Sequence, residues 1–160
     1  MLYLGLGIFA AVIIALDQFT KYLTVANIPL GDQISAIPGL FHFTYIRNTG
    51  ASFSMLEGSS WLFIGVLVLF TVVLAVLLKK KIITKPVELW CLAAVWGGGV
   101  GNAIDRLRLG YVVDMIEVEF MNFAIFNVAD IFICCGCFIL VVYVLLFDRD
   151  AKQSKKGGAA

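Results

Sequence analysis

Four stretches of this chain, Leu2 to Ala26, Trp61 to Leu78, Val87 to Ile104 and Ile131 to Phe147, are too long and too apolar to serve as elements of a water-soluble core. A helix rising about 1.5 Å per residue needs roughly 20 such residues to cross a hydrocarbon core of about 30 Å. Only a helix satisfies its own backbone there. The run from Trp61 to Leu78 carries no charge in eighteen residues. The 61% hydrophobic and 14% charged content agrees, since soluble chains carry about 25% charged residues. The expectation is an all-α membrane protein: one domain over 1–150 with transmembrane helices near 2–26, 61–78, 87–104 and 131–147, followed by a disordered tail at 151–160. The first run has no Lys or Arg before it, so it lacks the basic start of a cleaved signal peptide and is expected to remain as a span.

Basic residues orient the spans. Lys79, Lys80, Lys81 and Lys85 fill the loop after the second run, and Arg149, Lys152, Lys155 and Lys156 follow the fourth. By the positive-inside rule both segments are cytoplasmic. Four spans then put both termini inside and the segments 27–60 and 105–130 outside. Pro29, Gly31, Pro38 and Gly39 punctuate the first of these, and Phe41, Phe43 and Tyr45 alternate with His42, Thr44 and Ile46, which predicts a small extracytoplasmic hairpin over Asn27 to Ile46.

This orientation delivers polar residues from every span to one membrane level: Asp17 and Lys21, Asn48, then Asn102, Asp105 and Arg106, then Asn127 and Asp130. Asp17 and Lys21 are spaced i, i+4 and can pair on one helix face. Acidic side chains beside spans are costly unless they have a partner, a wet cavity or a task. Five of the eleven acidic residues fall between Gly101 and Asp130. Asp105 is followed at once by Arg106, whereas Asp114 and Asp130 have no adjacent cation. Those two carboxylates are therefore the candidate catalytic pair. Facing each other at about 4 Å with an effective dielectric near 20 they would repel by about 4 kcal/mol, roughly three pKa units. One shared proton near neutral pH would leave one carboxylate to accept a proton from water and one to donate, the arrangement of aspartic proteases. The dipole of the helix that begins at Asp130 favours negative charge on that partner.

Other signals carry less. The GGGVG run, Gly97 to Gly101, follows no strand and suits close helix packing better than phosphate binding. Cys91, Cys134, Cys135 and Cys137 lie in apolar runs without zinc spacing or a nearby His, so no metal is expected. No nucleophile is spaced for a triad with His42, the single histidine. Glu117 and Glu119 read as the solvated edge of an interfacial segment. No basic patch with interleaved aromatics exists for nucleic acid.

The blocks DQFTK (Asp17 to Lys21), RNTGASF (Arg47 to Phe53), GGGVGNAIDR (Gly97 to Arg106), GYVVDM (Gly110 to Met115) and FNVAD (Phe126 to Asp130) resemble, in order and over almost the whole chain, those of the bacterial lipoprotein signal peptidases, signal peptidase II. The resemblance implies an intramembrane aspartic peptidase without metal or organic cofactor. Its substrates would be diacylglyceryl-modified prolipoproteins, cut before the modified cysteine. It also implies a site near the outer leaflet of the bacterial cytoplasmic membrane, contact with membrane lipids, and no obligatory protein partner. Catalysis would fall to Asp114 and Asp130. Substrate binding or support would fall to Asn48, Gly50, Asn102, Asp105, Arg106, Asn127 and Ala129, and orientation to Asp17 and Lys21. The hairpin would belong to a small extracytoplasmic sheet, and Asp114 to Phe126 to a mobile interfacial flap. Met115 and Ile131 depart from the family pattern but remain apolar. A proton or ion pathway is the alternative; it predicts polar residues throughout the spans, whereas the second and fourth hold none beyond Thr71.

Overall fold

The computed structural model describes residues 1–50 and 58–148. The helices are α1 (Leu2–Asn27), α2 (Ser60–Lys79), α3 (Pro86–Leu109) and α4 (Val128–Tyr143), the last continued by a π-helical turn, Val144–Asp148. All four helical segments are long and apolar enough to cross a membrane. The chain is a multi-pass membrane protein with a small sheet at one end of the bundle.

Helix α3 is the centre of the bundle and packs against each of the other three. Its glycines make that possible. A methyl group on Gly98 would stand 2.5 Å from the Ala129 carbonyl oxygen, so only glycine lets α4 approach this closely. α2 is the opposite case: it has no buried residue and touches chiefly α3. It is held by the Trp96 indole N–H donating to Thr71 Oγ1 at 3.0 Å, a polar tie on an otherwise apolar helix.

Strands β1 (Gln33–Ile37), β2 (Phe41–Asn48) and β3 (Val112–Val118) form an antiparallel sheet in that order. The hairpin expectation thus needs a third strand. Val112, Val113, Met115, Ile116 and Val118 suit a pleated, half-buried surface, and Asp114 interrupts the run without breaking it. Asp114 to Val118 is consequently sheet, paired with β2, rather than flap. The chain returns to this edge at Phe126, which bridges Ile116.

Two boundaries that bear on the site also move. α3 runs past Ile104 to Leu109 and stops at Gly110, whose φ of 80° gives the left-handed cap glycine favours, so Asp105 and Arg106 are helical. α4 starts at Val128 instead of Ile131 because Asn127 caps it: the Asn127 side chain accepts from the Asp130 N–H and the Asp130 side chain from the Asn127 N–H. Ala51 to Phe53 of the second block and the tail expected at 151–160 lie outside the described residues.

Candidate active site

The site is built at the sheet end of the bundle from one buried ion cluster and two carboxylates that hang on it. Lys21 lies 2.8 Å from Asp17, one helical turn back as expected, and 3.0 Å from Asp105. All three are at least 96% removed from solvent. Asp105 therefore takes its counter-charge from Lys21, not from its neighbour Arg106, because successive helical residues point in different directions. Its second role is to accept the Val113 N–H at 3.1 Å, which ties β3 to α3. Asp17 accepts the Ala129 N–H at 3.0 Å and so steadies the first turn of α4. Gly101 leaves room for this: a methyl there would lie 2.6 Å from Asp17 Oδ2.

Lys21 also donates to Asn102 Oδ1 at 2.8 Å, leaving the Asn102 amide nitrogen to donate to Asp130 Oδ1 at 2.8 Å. A cation can only donate, so it sets which end of the amide faces Asp130. Asn127 plays the corresponding part for the other carboxylate. Its Nδ2 donates to Asp114 Oδ1 at 2.7 Å and to Asn102 Oδ1 at 3.2 Å, while its backbone N–H donates to Asp130 Oδ2 at 3.1 Å. Asn48 Nδ2 donates to Asp114 Oδ2 at 2.8 Å, and Asn48 Oδ1 accepts the Gly50 N–H at 2.9 Å. Arg106 donates to the carbonyls of Gly50, at 3.0 Å, and Asn102, at 3.4 Å, and stacks 4.4 Å above the Phe63 ring.

All eleven residues singled out from the sequence thus enter one connected network, with Ala129 taking part through its backbone alone. Gln18 joins it unannounced: its Nε2 donates to Asp105 Oδ1 at 2.9 Å, the Gly101 carbonyl at 3.1 Å and Asp17 Oδ2 at 3.3 Å. Its position inside the DQFTK block was the available signal. Phe63 was also missed as a site-shaping residue, since apolar residues in spans look alike in sequence, whereas the close packing expected of Gly97 to Gly101 is seen at Gly98 and Gly101.

The two aspartates are joined through Asn127. Burial is the main reason the Asp114 carboxyl is pushed up to about 6; the charge of Asp130 adds to it, and the Asn48 and Asn127 amides oppose it. The repulsion-only expectation left out burial and these donors. Both carboxylates border a cavity of about 360 Å³ between α2, α3 and α4. Arg106 is at its polar end, while Phe63, Phe70 and Ile133 line its apolar flank. Such a cavity can hold an apolar peptide segment in contact with two titratable oxygen groups.

The sequence profile of the signal peptidase (SPase) II family matches residues 9–146. The chain is 44% identical over 151 residues to a lipoprotein signal peptidase of Enterococcus faecalis, covering 92% of each chain. It is 42% identical to one of Streptococcus thermophilus, over 81% of this chain and 85% of the relative. Two solved structures titled as a bacterial membrane enzyme superpose with TM-scores of 0.83 and 0.81, each at 27% identity. They cover 88% and 89% of this chain and 87% and 94% of theirs.

Proposed function

The chain belongs to the signal peptidase II family of aspartic peptidases, and from that premise we propose that it removes signal peptides from bacterial prolipoproteins by cutting before the diacylglyceryl-modified cysteine. The observation that carries the reading is the pairing of Asp114 and Asp130 through Asn127 at the head of an apolar cavity.

Two N–H donors, from Asn102 and the Asn127 backbone, stabilise negative charge on Asp130. Asp130 is the base. It takes a proton from water as the oxygen attacks the scissile carbonyl carbon. Asp114, whose burial favours its neutral form, gives its proton to the carbonyl oxygen, producing a neutral gem-diol. Collapse of that intermediate breaks the C–N bond. Asp130 returns its proton to the departing amine, and Asp114 recovers one from the diol, so the pair ends as it began. Asn127 holds the spacing of the two groups throughout.

The topology belongs to the same reading. Lys79, Lys80, Lys81 and Lys85 support a cytoplasmic loop between α2 and α3, and in this reading the sheet and the dyad lie at the outer leaflet with both termini inside. A substrate whose signal helix and acyl chains lie in the bilayer reaches its peptidase at that depth. The cavity's apolar flank suits the signal segment, and its polar end admits water.

The test is a gel-shift cleavage assay with the purified protein in detergent, using a prolipoprotein that carries diacylglyceryl on its cysteine and the unmodified form as control. Cleavage of the lipidated form alone, unchanged by chelator, is the expected result. A folded protein that leaves the lipidated substrate intact in a suitable lipid would overturn the assignment.

A further inference from the structure

Alternation along the three strands gives the sheet two unlike faces. Ile34 pairs with Phe43 and Phe43 with Ile116, while Phe41 pairs with Val118, so one face is an apolar ladder. Ser35, His42 and Glu117 are cross-strand partners on the other. There His42 bonds Glu117 at 2.8 Å and Glu119 at 3.1 Å. The other described residues leave much of the apolar face uncovered: Ile34 is 50% exposed and Phe43 40%.

Under this face run two adjoining grooves of about 450 and 420 Å³ that share Phe43 and Ile116. The first ends on Leu23 of α1 and the second on Ile131 of α4. Both end residues are exposed on the flanks of membrane spans. The apolar sheet face is thus continuous with the lipid-facing surface of the bundle.

We propose that the apolar face of the sheet is a docking surface for the acyl chains of bilayer phospholipid, which leaves the sheet half immersed with Glu117 and Glu119 toward water. An apolar ladder left in water would be an aggregation site, whereas lipid at the end of the spans covers it without a protein partner. The occupant comes from the bilayer and not with the substrate. The Phe126 carbonyl accepts from Met115 N and Ile116 N at 3.0 and 2.8 Å, and Phe126 N donates to the Ile116 carbonyl at 3.1 Å. The two grooves share no lining residue with the cavity beside Asp114. Ile116 and Val118 stand two and four residues beyond Asp114 on the same side of β3, so the seat of β3 in lipid sets the depth of the dyad.

Photo-crosslinking the full wild-type chain in phosphatidylglycerol nanodiscs tests this, with a diazirine on the lipid's acyl chain and adducts mapped by mass spectrometry. Adducts at Ile34, Phe43 and Ile116 are expected, alongside adducts at the exposed helix positions Val68 and Leu69, and none at Ser35 or Glu117. Labelling of Val68 and Leu69 without any on the sheet overturns the proposal, as does equal labelling of both sheet faces. In a Phe43→Asp variant the adducts at Ile34 and Ile116 should be lost while those at Val68 and Leu69 persist; unchanged sheet labelling would also overturn it. None of these readouts depends on hydrolytic activity.

Discussion

Replacing Asn48 with Ala removes one of the two side-chain amides that stabilise the Asp114 carboxylate, and should move the alkaline limb of the pH profile to higher pH. In the wild-type protein burial and the charge of Asp130 push this group up to about 6 while Asn48, at 2.8 Å, and Asn127, at 2.7 Å, pull it down. A hydrogen bond to a charged group contributes about 1.5–3 kcal/mol. At about 1.36 kcal/mol per unit, losing the Asn48 donor corresponds to roughly one to two units upward. Water entering the vacated space replaces part of that donor, so the lower end, about one unit, is the working figure. In the proposed mechanism Asp114 acts in its protonated form, so wild-type kcat/KM should fall as pH rises through about 6. In the variant the fall begins later. Initial rates of cleavage of a lipidated prolipoprotein across the pH range measure both limbs. Asn48 also holds the Gly50 N–H at 2.9 Å, so the height of the profile drops and the limb's midpoint is the readout. A midpoint that stays put, or moves to lower pH, would refute Asp114 as the proton-bearing member.

Asp114→Asn and Asp130→Asn should each abolish turnover in the same assay while expression and thermal unfolding stay near wild type; normal cleavage by either variant would sink the dyad. Lys21→Met leaves Asp17 and Asp105 buried without their cation, and should cost about 3–5 kcal/mol in detergent unfolding. Adding Asp105→Asn to that variant should recover part of the loss. Gly98→Ala forces α4 away from the Ala129 carbonyl, for which about 1–3 kcal/mol of destabilisation is expected together with reduced kcat, since the same turn carries Asp130. The hydrogen bonds to Glu119 and Glu117 hold His42 above its ordinary value. Its stabilising contribution to the sheet is therefore complete below that value and is lost as pH rises through the raised one, which an NMR titration of the single histidine would follow.

Much of this protein follows from the chain alone. The four spans were legible because eighteen or more apolar residues have few other uses, and the gathering of polar residues at one end followed from the placement of lysines. The pairing of Asp17 with Lys21 was legible too, because helical periodicity puts i and i+4 on one face. Tertiary structure decided what spacing cannot encode. Asp105 finds Lys21, eighty-four positions away in sequence, rather than the adjacent Arg106, and Val112 to Val118 becomes a third strand only because β2 offers an edge to pair with. Asp114 and Asp130 meet through Asn127, and the proton affinity of Asp114 depends on burial and on donors from β2 and the α4 cap. Local sequence determines where a segment can reside, since hydrophobic transfer and backbone satisfaction act residue by residue. Which charges neutralise one another depends on distances between segments, and those exist only after α3 has packed its glycines against α1 and α4.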